Sequence, residues 1–263
     1  MLRRSLLLAA LVLVAQGATA KDWDTIRFAT EGAYPPFNTV DTKGEVQGFD
    51  VDISNALCEE MKVRCTWVKQ EWDGMIPALL SRKFDAIAAS MSITEERRKR
   101  VEFSTKYYAT PLALVAHKDS ALLPQVDALQ GKRIGVQRGT VADNFAARFW
   151  ADKGVEIVRY ARQEEAYLDL EAGRIDASWV DALMADGGFL SQAAGANYMV
   201  AGGLIHGRNA DEKAVIGEGV GIAVRKQDKE LKVKLDQALA AIRASGKYDE
   251  IRKKYFSYDI YGD

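Results

Sequence analysis

Short apolar strands alternate with amphipathic helices along this chain, and the series is run twice. Ile26–Thr30 reads as a strand, followed by a helix over 49–61, a strand over 65–68, a helix over 72–81 and a strand over 84–90. A second series takes up Leu112–Ala116, Arg133–Val136, a helix from Thr140 with Val141, Phe145 and Phe149 four apart, a strand over 155–160, a helix over 164–172 and a strand over 175–180. The two series close on a similar phrase, Lys83-Phe84-Asp85-Ala86 against Arg174-Ile175-Asp176-Ala177. Such alternation specifies an α/β protein with mainly parallel sheets, here as two similar lobes. A strand over Gly219–Val224 and an amphipathic helix over 229–244 follow, with Leu231, Leu235, Leu239 and Ile242 on one face. These elements are free to return to the first lobe. In open α/β sheets ligands settle outside the carboxyl ends of the strands, so a ligand is expected between the lobes.

The composition narrows the chemistry. Of 263 residues 48% are hydrophobic, enough for one or two cores, and 36 basic residues against 37 acidic ones leave a net charge of −1. So balanced a chain has no long-range field to recruit nucleic acid or another polyanion. Two cysteines and two histidines, with no HExxH or paired CxxC, offer little for a metal site, and no metal or cofactor is expected.

Residues 1–20 set the compartment. Arg3 and Arg4 precede a ten-residue apolar run, Leu6 to Ala15, and Ala18-Thr19-Ala20 gives a small-residue end. That is the plan of a secretory signal peptide cleaved after Ala20, and the run is shorter than the 18 or so apolar residues a membrane span needs. Export would open an oxidising compartment to Cys58 and Cys65, seven positions apart. A disulfide there would pin the end of helix 49–61 to the next strand; two buried thiols are the other reading.

Four features fall at strand ends. Thr30-Glu31-Gly32-Ala33-Tyr34-Pro35-Pro36-Phe37 places a carboxylate and a ring in a proline-stiffened loop, and Trp72 supplies a second ring at a helix start. Two rings can sandwich an aliphatic or guanidinium stem, leaving Glu31 to meet a distal cation. Ser90-Met91-Ser92-Ile93-Thr94-Glu95-Glu96-Arg97 passes through a serine-rich turn to a helix capped by Thr94, and Arg97 offers a planar fork for a carboxylate. Gly135-Val136-Gln137-Arg138-Gly139-Thr140 runs from strand to helix N-terminus, an anion seat without the lysine of a P-loop. Asp181 follows a strand and can accept from an ammonium group. Each has a plainer reading: Glu31 and Arg97 as solvated charges, Tyr34 and Trp72 as core edges, Asp181 as a helix cap.

Taken together these segments, with Gly48-Phe49-Asp50-Val51-Asp52, Asp73-Gly74-Met75-Ile76-Pro77, Gly219-Val220-Gly221-Ile222 and Lys254-Tyr255-Phe256, resemble the periplasmic binding proteins of ABC importers for polar amino acids, in the lysine/arginine/ornithine and histidine branch. The resemblance implies a two-lobed fold of the type II class. Lobe 1 would be residues 21–109 and 206–263, lobe 2 residues 110–205, with two crossover strands near 109–111 and 203–206 acting as the hinge. It implies that Arg97, with the main chain at Ser92 and Thr140, holds an α-carboxylate, while Asp181 and Ser90 take the α-ammonium. Tyr34 and Trp72 would stack on the side chain with Glu31 facing its cationic end, and Ala89 and Gln137 would complete the wall. It further implies a Cys58–Cys65 disulfide, a basic L-amino acid as ligand, an importer permease as partner and a monomeric chain without cofactor.

The departures bear on the ligand. Lysine/arginine/ornithine binders often have Asp where Glu31 stands and Ser where Ala89 stands, and Val141 and Ala142 replace a Thr-Gln pair at the second seat. Glu at this position also occurs in arginine and opine binders, so an octopine- or nopaline-type ligand is the alternative. Secreted cyclohexadienyl dehydratases share the fold, and Glu31 would be the acid such an enzyme needs. The Arg97–Asp181 combination instead suits a bound amino acid and leaves no catalytic group, so no enzyme is expected. His117 and His206 are expected at the surface or hinge.

Overall fold

Both rounds of strand and helix form sheets of their own in the computed structural model, which describes residues 23–262. The expected signal peptide and its cleavage site lie outside the described residues. The first sheet has five strands in the order Arg64–Lys69, Thr25–Thr30, Ala86–Ile87, Ala223–Val224 and Glu102–Phe103. Its first three strands are parallel, and Ala223–Val224 runs antiparallel to both neighbours. The C-terminal segment thus returns to the first sheet. The second sheet runs Glu156–Tyr160, Arg133–Gln137, Ala177–Asp181, Leu112–His117 and Tyr198–Ile205, parallel over the first three and antiparallel over the last two.

The phrase repeated in the two series has one structural role. Asp85 accepts from the Arg27 backbone N–H at 3.2 Å and donates its own N–H to the Arg27 carbonyl at 2.8 Å. Asp176 does the same with Arg133, at 2.8 Å in both directions. In each half the aspartate pins the entry of one strand to its neighbour.

Helix Phe49–Met61 occupies the span that its periodicity predicts and buries Phe49, Ile53, Ala56 and Leu57. It packs against helix Lys229–Ala244, whose Leu231, Leu235, Leu239 and Ile242 are buried as their spacing requires. Cys58 and Cys65 form a disulfide across a Cα separation of 5.9 Å, tying that helix to strand Arg64–Lys69. Phe145, Trp150 and Trp179 fill the core of the second sheet.

Three elements differ from expectation. The helix expected over 72–81 is a 3₁₀ turn at Trp72–Gly74 followed by an α-helix at Met75–Leu80. The strand expected over 84–90 is regular only at Ala86–Ile87, because Ser90 turns away from the sheet at φ 55°. The strand expected over Gly219–Val224 is regular only at Ala223–Val224; Gly219 stands at φ 124°, and Val220 bridges to Ser92 and Tyr108 instead. Near the second expected crossover, the register of Tyr198–Ile205 shifts between Ala201 and Ile205, where Gly202 and Gly203 take positive φ.

Candidate ligand-binding site

The carboxyl ends of strands from both sheets face one cavity. Its walls contain Glu31, Tyr34, Trp72, Ala89, Ser90, Ser92, Arg97, Gln137, Thr140 and Asp181, together with Val141. Every residue singled out as a ligand contact in the sequence therefore lines this one space. Glu31 follows the last residue of Thr25–Thr30, while Gln137 and Asp181 are the last residues of their own strands. The open-sheet rule places a ligand there.

The plainer readings fail for the charged residues. Glu31, Asp181 and Arg97 are only 7%, 8% and 9% exposed, so none is a solvated charge. Asp181 starts the short helix Ala182–Ala185 but makes no side-chain cap bond. Its Oδ2 instead accepts from the Tyr34 hydroxyl at 2.8 Å, joining the short strand Ala33–Tyr34, part of a small three-stranded sheet, to a strand of the second sheet. The Arg97 guanidinium lies 5.2 Å from the centroid of the Trp72 ring and donates to the Ser92 carbonyl at 2.8 Å and the Gly139 carbonyl at 3.3 Å. Thr94 caps the Arg97 helix, its hydroxyl accepting from the Arg97 N–H. Thr140 caps helix Val141–Phe149 through the Asp143 N–H, directing that helix's N-terminus at the cavity.

Burial sets the electrostatics. It raises the Asp181 carboxyl to about 6, with the Tyr34 hydrogen bond and the Arg97 charge working in the other direction. Burial lowers Arg97 to about 10, opposed by the Asp181 charge. Burial also raises Glu31 to about 7, against a hydrogen bond from Gln137. Arg97 and Asp181 thus act on each other, whereas the outside charges felt by Glu31 are Glu71, Arg162 and Glu164. The cavity wall thus holds a buried guanidinium and two buried carboxylates.

A supporting layer escaped the sequence reading. Asp50, fully buried, accepts from the Tyr107 hydroxyl at 2.6 Å, Asn38 Nδ2 at 2.9 Å and Ser90 Oγ at 3.1 Å. It holds Ser90 in its left-handed turn, a conformation most residues avoid. Gly48 makes this packing possible: at φ 126°, a side chain there would meet the Phe37 carbonyl at 2.4 Å. An aspartate one residue into a helix looks in sequence like a solvated first-turn acid, which is why its role was hidden. Trp72 is likewise held from both sides, since Glu71 binds Arg162 through both carboxylate oxygens and Asp73 binds Arg138 at 3.0 Å.

His117 and His206 are both exposed and neither lines the cavity. Among the described residues no group of His, Cys, Asp and Glu is placed to hold a metal ion. No helix among them is long and apolar enough to cross a membrane.

Two α/β sheets with a charged cavity between their strand ends define a two-lobed binding protein, and comparison with known proteins agrees. The model of bacterial extracellular solute-binding proteins, family 3, matches residues 26–258, and the chain belongs to that family. An L-arginine-binding protein of Pseudomonas aeruginosa is 50% identical over 237 residues, 90% of each chain. The lysine/arginine/ornithine-binding periplasmic protein of Escherichia coli is 40% identical over 261 residues, 98% of each. Among solved structures, an ancestral arginine-binding protein bound to arginine superposes with a TM-score of 0.79 at 34% identity, covering 89% of this chain and 99% of its own. These relatives are binding proteins and not enzymes, which sets aside the dehydratase reading.

Proposed function

We propose that the protein captures a basic L-amino acid in the cavity and delivers it to the permease of an ABC importer. The observation that carries this reading is that one cavity gathers three buried charged side chains, the Arg97 guanidinium and the Asp181 and Glu31 carboxylates. Arg97, with main-chain groups at Ser92 and Thr140, holds the α-carboxylate; Asp181 and Ser90 accept from the α-ammonium. Tyr34 and Trp72 flank the aliphatic stem, and Ala89 and Gln137 complete the wall. Glu31 meets the distal cation. The names of the relatives, binders of arginine or of lysine, arginine and ornithine, support the same ligand class.

Residues 21–109 and 206–263 form one lobe in this reading and 110–205 the other, hinged near 109–111 and 203–206. The glycine pair at 202 and 203 beside the register shift supports a flexible crossover there. The chain is exported to the periplasm, cleaved after Ala20, and acts as a monomer.

A thermal-shift screen over arginine, lysine, ornithine, histidine, octopine and nopaline tests the ligand class. A ligand at 100 times its dissociation constant adds about 2.7 kcal/mol to apparent stability. Stabilisation by the basic amino acids supports the reading; stabilisation by the opines alone overturns it.

A further inference from the structure

A second groove runs along the two expected crossovers. Ala109, Thr110 and Pro111 of the first and Leu204 and His206 of the second line it, and none of them lines the ligand cavity. Its facing walls come from opposite halves of the chain: Tyr258 and Ile260 of the C-terminal tail on one side, Leu183, Asp186 and Leu190 on the other. The tail is fastened to the first half. Arg252 donates to the Phe256 and Tyr258 carbonyls at 3.0 and 2.7 Å, and the Ala109 N–H donates to the Ile260 carbonyl at 2.8 Å. Burial and the Asp186 charge across the groove raise the Tyr258 hydroxyl above its ordinary value. Tyr258 and Leu204 are nonetheless 47% and 49% exposed, so the groove carries apolar surface that this arrangement of the two sheets leaves in water.

On the ligand side the two halves touch, since Tyr34 bonds to Asp181 and Arg97 to the Gly139 carbonyl. Two bodies joined by a pair of crossovers turn about them, so parting on one side brings approach on the other. We infer that the lobes meet across this groove when the ligand cavity opens, the C-terminal tail coming down on the Leu183–Leu190 wall, and that the apolar surface buried there holds the ligand-free protein open; this rests on the hinged, two-lobed reading of the chain. Burial of apolar surface is favourable in proportion to its area. The apparent affinity for a ligand falls with the fraction of free protein in the competent, closed form. Tyr258 and Leu204 therefore weaken binding of a ligand that neither of them touches.

The test is Tyr258→Ala with Leu204→Ala, read by calorimetry with L-arginine and by solution scattering. Both side chains are half exposed in the closed form, so their removal destabilises the open form more. Arginine affinity should rise about two- to tenfold, and the radius of gyration of the free variant should shift toward the arginine-bound value. A gain in affinity from truncating residues outside the ligand cavity is the opposite of what damage to the fold or the site produces. Unchanged or weaker arginine binding by the folded variant overturns the inference; the hinge reading then stands if the unaltered protein contracts on adding arginine and falls if it does not. If the unaltered protein binds no arginine, the proposed ligand is overturned, and an unchanged radius in the free variant overturns the inference separately. Should the double variant fail to fold, Leu204→Ser alone decides by the same two measurements.

Discussion

The Tyr34 hydroxyl donates to Asp181 Oδ2 at 2.8 Å, although the two residues are 147 positions apart and belong to different sheets. This bond brings the short strand Ala33–Tyr34, which follows Thr25–Thr30, against the end of a strand in the second half. Arg97 follows the same logic, reaching from the Ser92 turn to the Gly139 carbonyl. Residues that contact the ligand in the proposed reading are thus also residues that join the two sheets.

Arg97→Ala should abolish amino-acid binding while the protein stays folded. Removing one partner of a desolvated charge pair costs about 2–5 kcal/mol, more than tenfold in affinity. Asp181→Ala should behave likewise, and agmatine, which lacks the carboxylate, should bind far more weakly than arginine. Calorimetry on both variants, with circular dichroism to verify the fold, checks this; near-native affinity in Arg97→Ala removes the carboxylate role.

The site's pH dependence has two opposite signs. Burial raises Glu31 to about 7 and Asp181 to about 6, so the folded protein holds protons there that the unfolded chain has already released. That contribution, up to about 3 kcal/mol for Glu31, is present at pH 4 and is lost as pH rises through 7. Cation binding runs the other way, since it requires ionised Glu31. Arginine affinity should rise between pH 5.5 and pH 8, with proton release on binding near pH 6.5. Calorimetry in buffers of different ionisation enthalpy measures that release, and Glu31→Gln should abolish most of it.

The ion pairs beside Trp72 should govern how long the ligand stays. Glu71–Arg162 and Asp73–Arg138 link the Trp72 turn to loops after strands of the second sheet and are largely exposed. Exposed pairs are worth about 0.2–1 kcal/mol each, so Glu71→Gln with Asp73→Asn should speed ligand release about two- to thirtyfold. Raising salt from 0.05 to 0.5 M should speed release in the unaltered protein and have little effect on the double variant. Stopped-flow displacement followed by tryptophan fluorescence reads both.

The Cys58–Cys65 disulfide lies away from the cavity walls. For so short a loop its removal should cost about 2–3 kcal/mol of stability. The Cys58→Ala, Cys65→Ala variant should therefore unfold at lower denaturant and bind ligand with unchanged affinity below its transition.

Helices Phe49–Met61 and Lys229–Ala244 were legible in full because apolar spacing alone decides their buried faces. The strands expected over 84–90 and 219–224 were not, since an apolar run carries no mark of where Ser90 and Gly219 turn the backbone. The cavity wall was legible because its members sit at strand ends, next to recognisable turns. Asp50 was not, and neither were the pairs Glu71–Arg162 and Asp73–Arg138. A charge whose partner lies tens of residues away reads as a solvated one.

In the proposed function Glu31 is the selector for a distal cation. Its carboxylate is buried in the wall of a cavity that Tyr34 and Trp72 also line, where a charge match weighs more than in bulk water. The direct test is the ratio of arginine to citrulline affinity, measured by calorimetry in the unaltered protein and in Glu31→Gln. Arginine should exceed its neutral isostere at least about tenfold, the effect of one well-placed charge-assisted hydrogen bond, and Glu31→Gln should collapse the gap by weakening arginine far more than citrulline. An unchanged ratio in Glu31→Gln would show that the cavity reads other atoms of its ligand and would contradict the account.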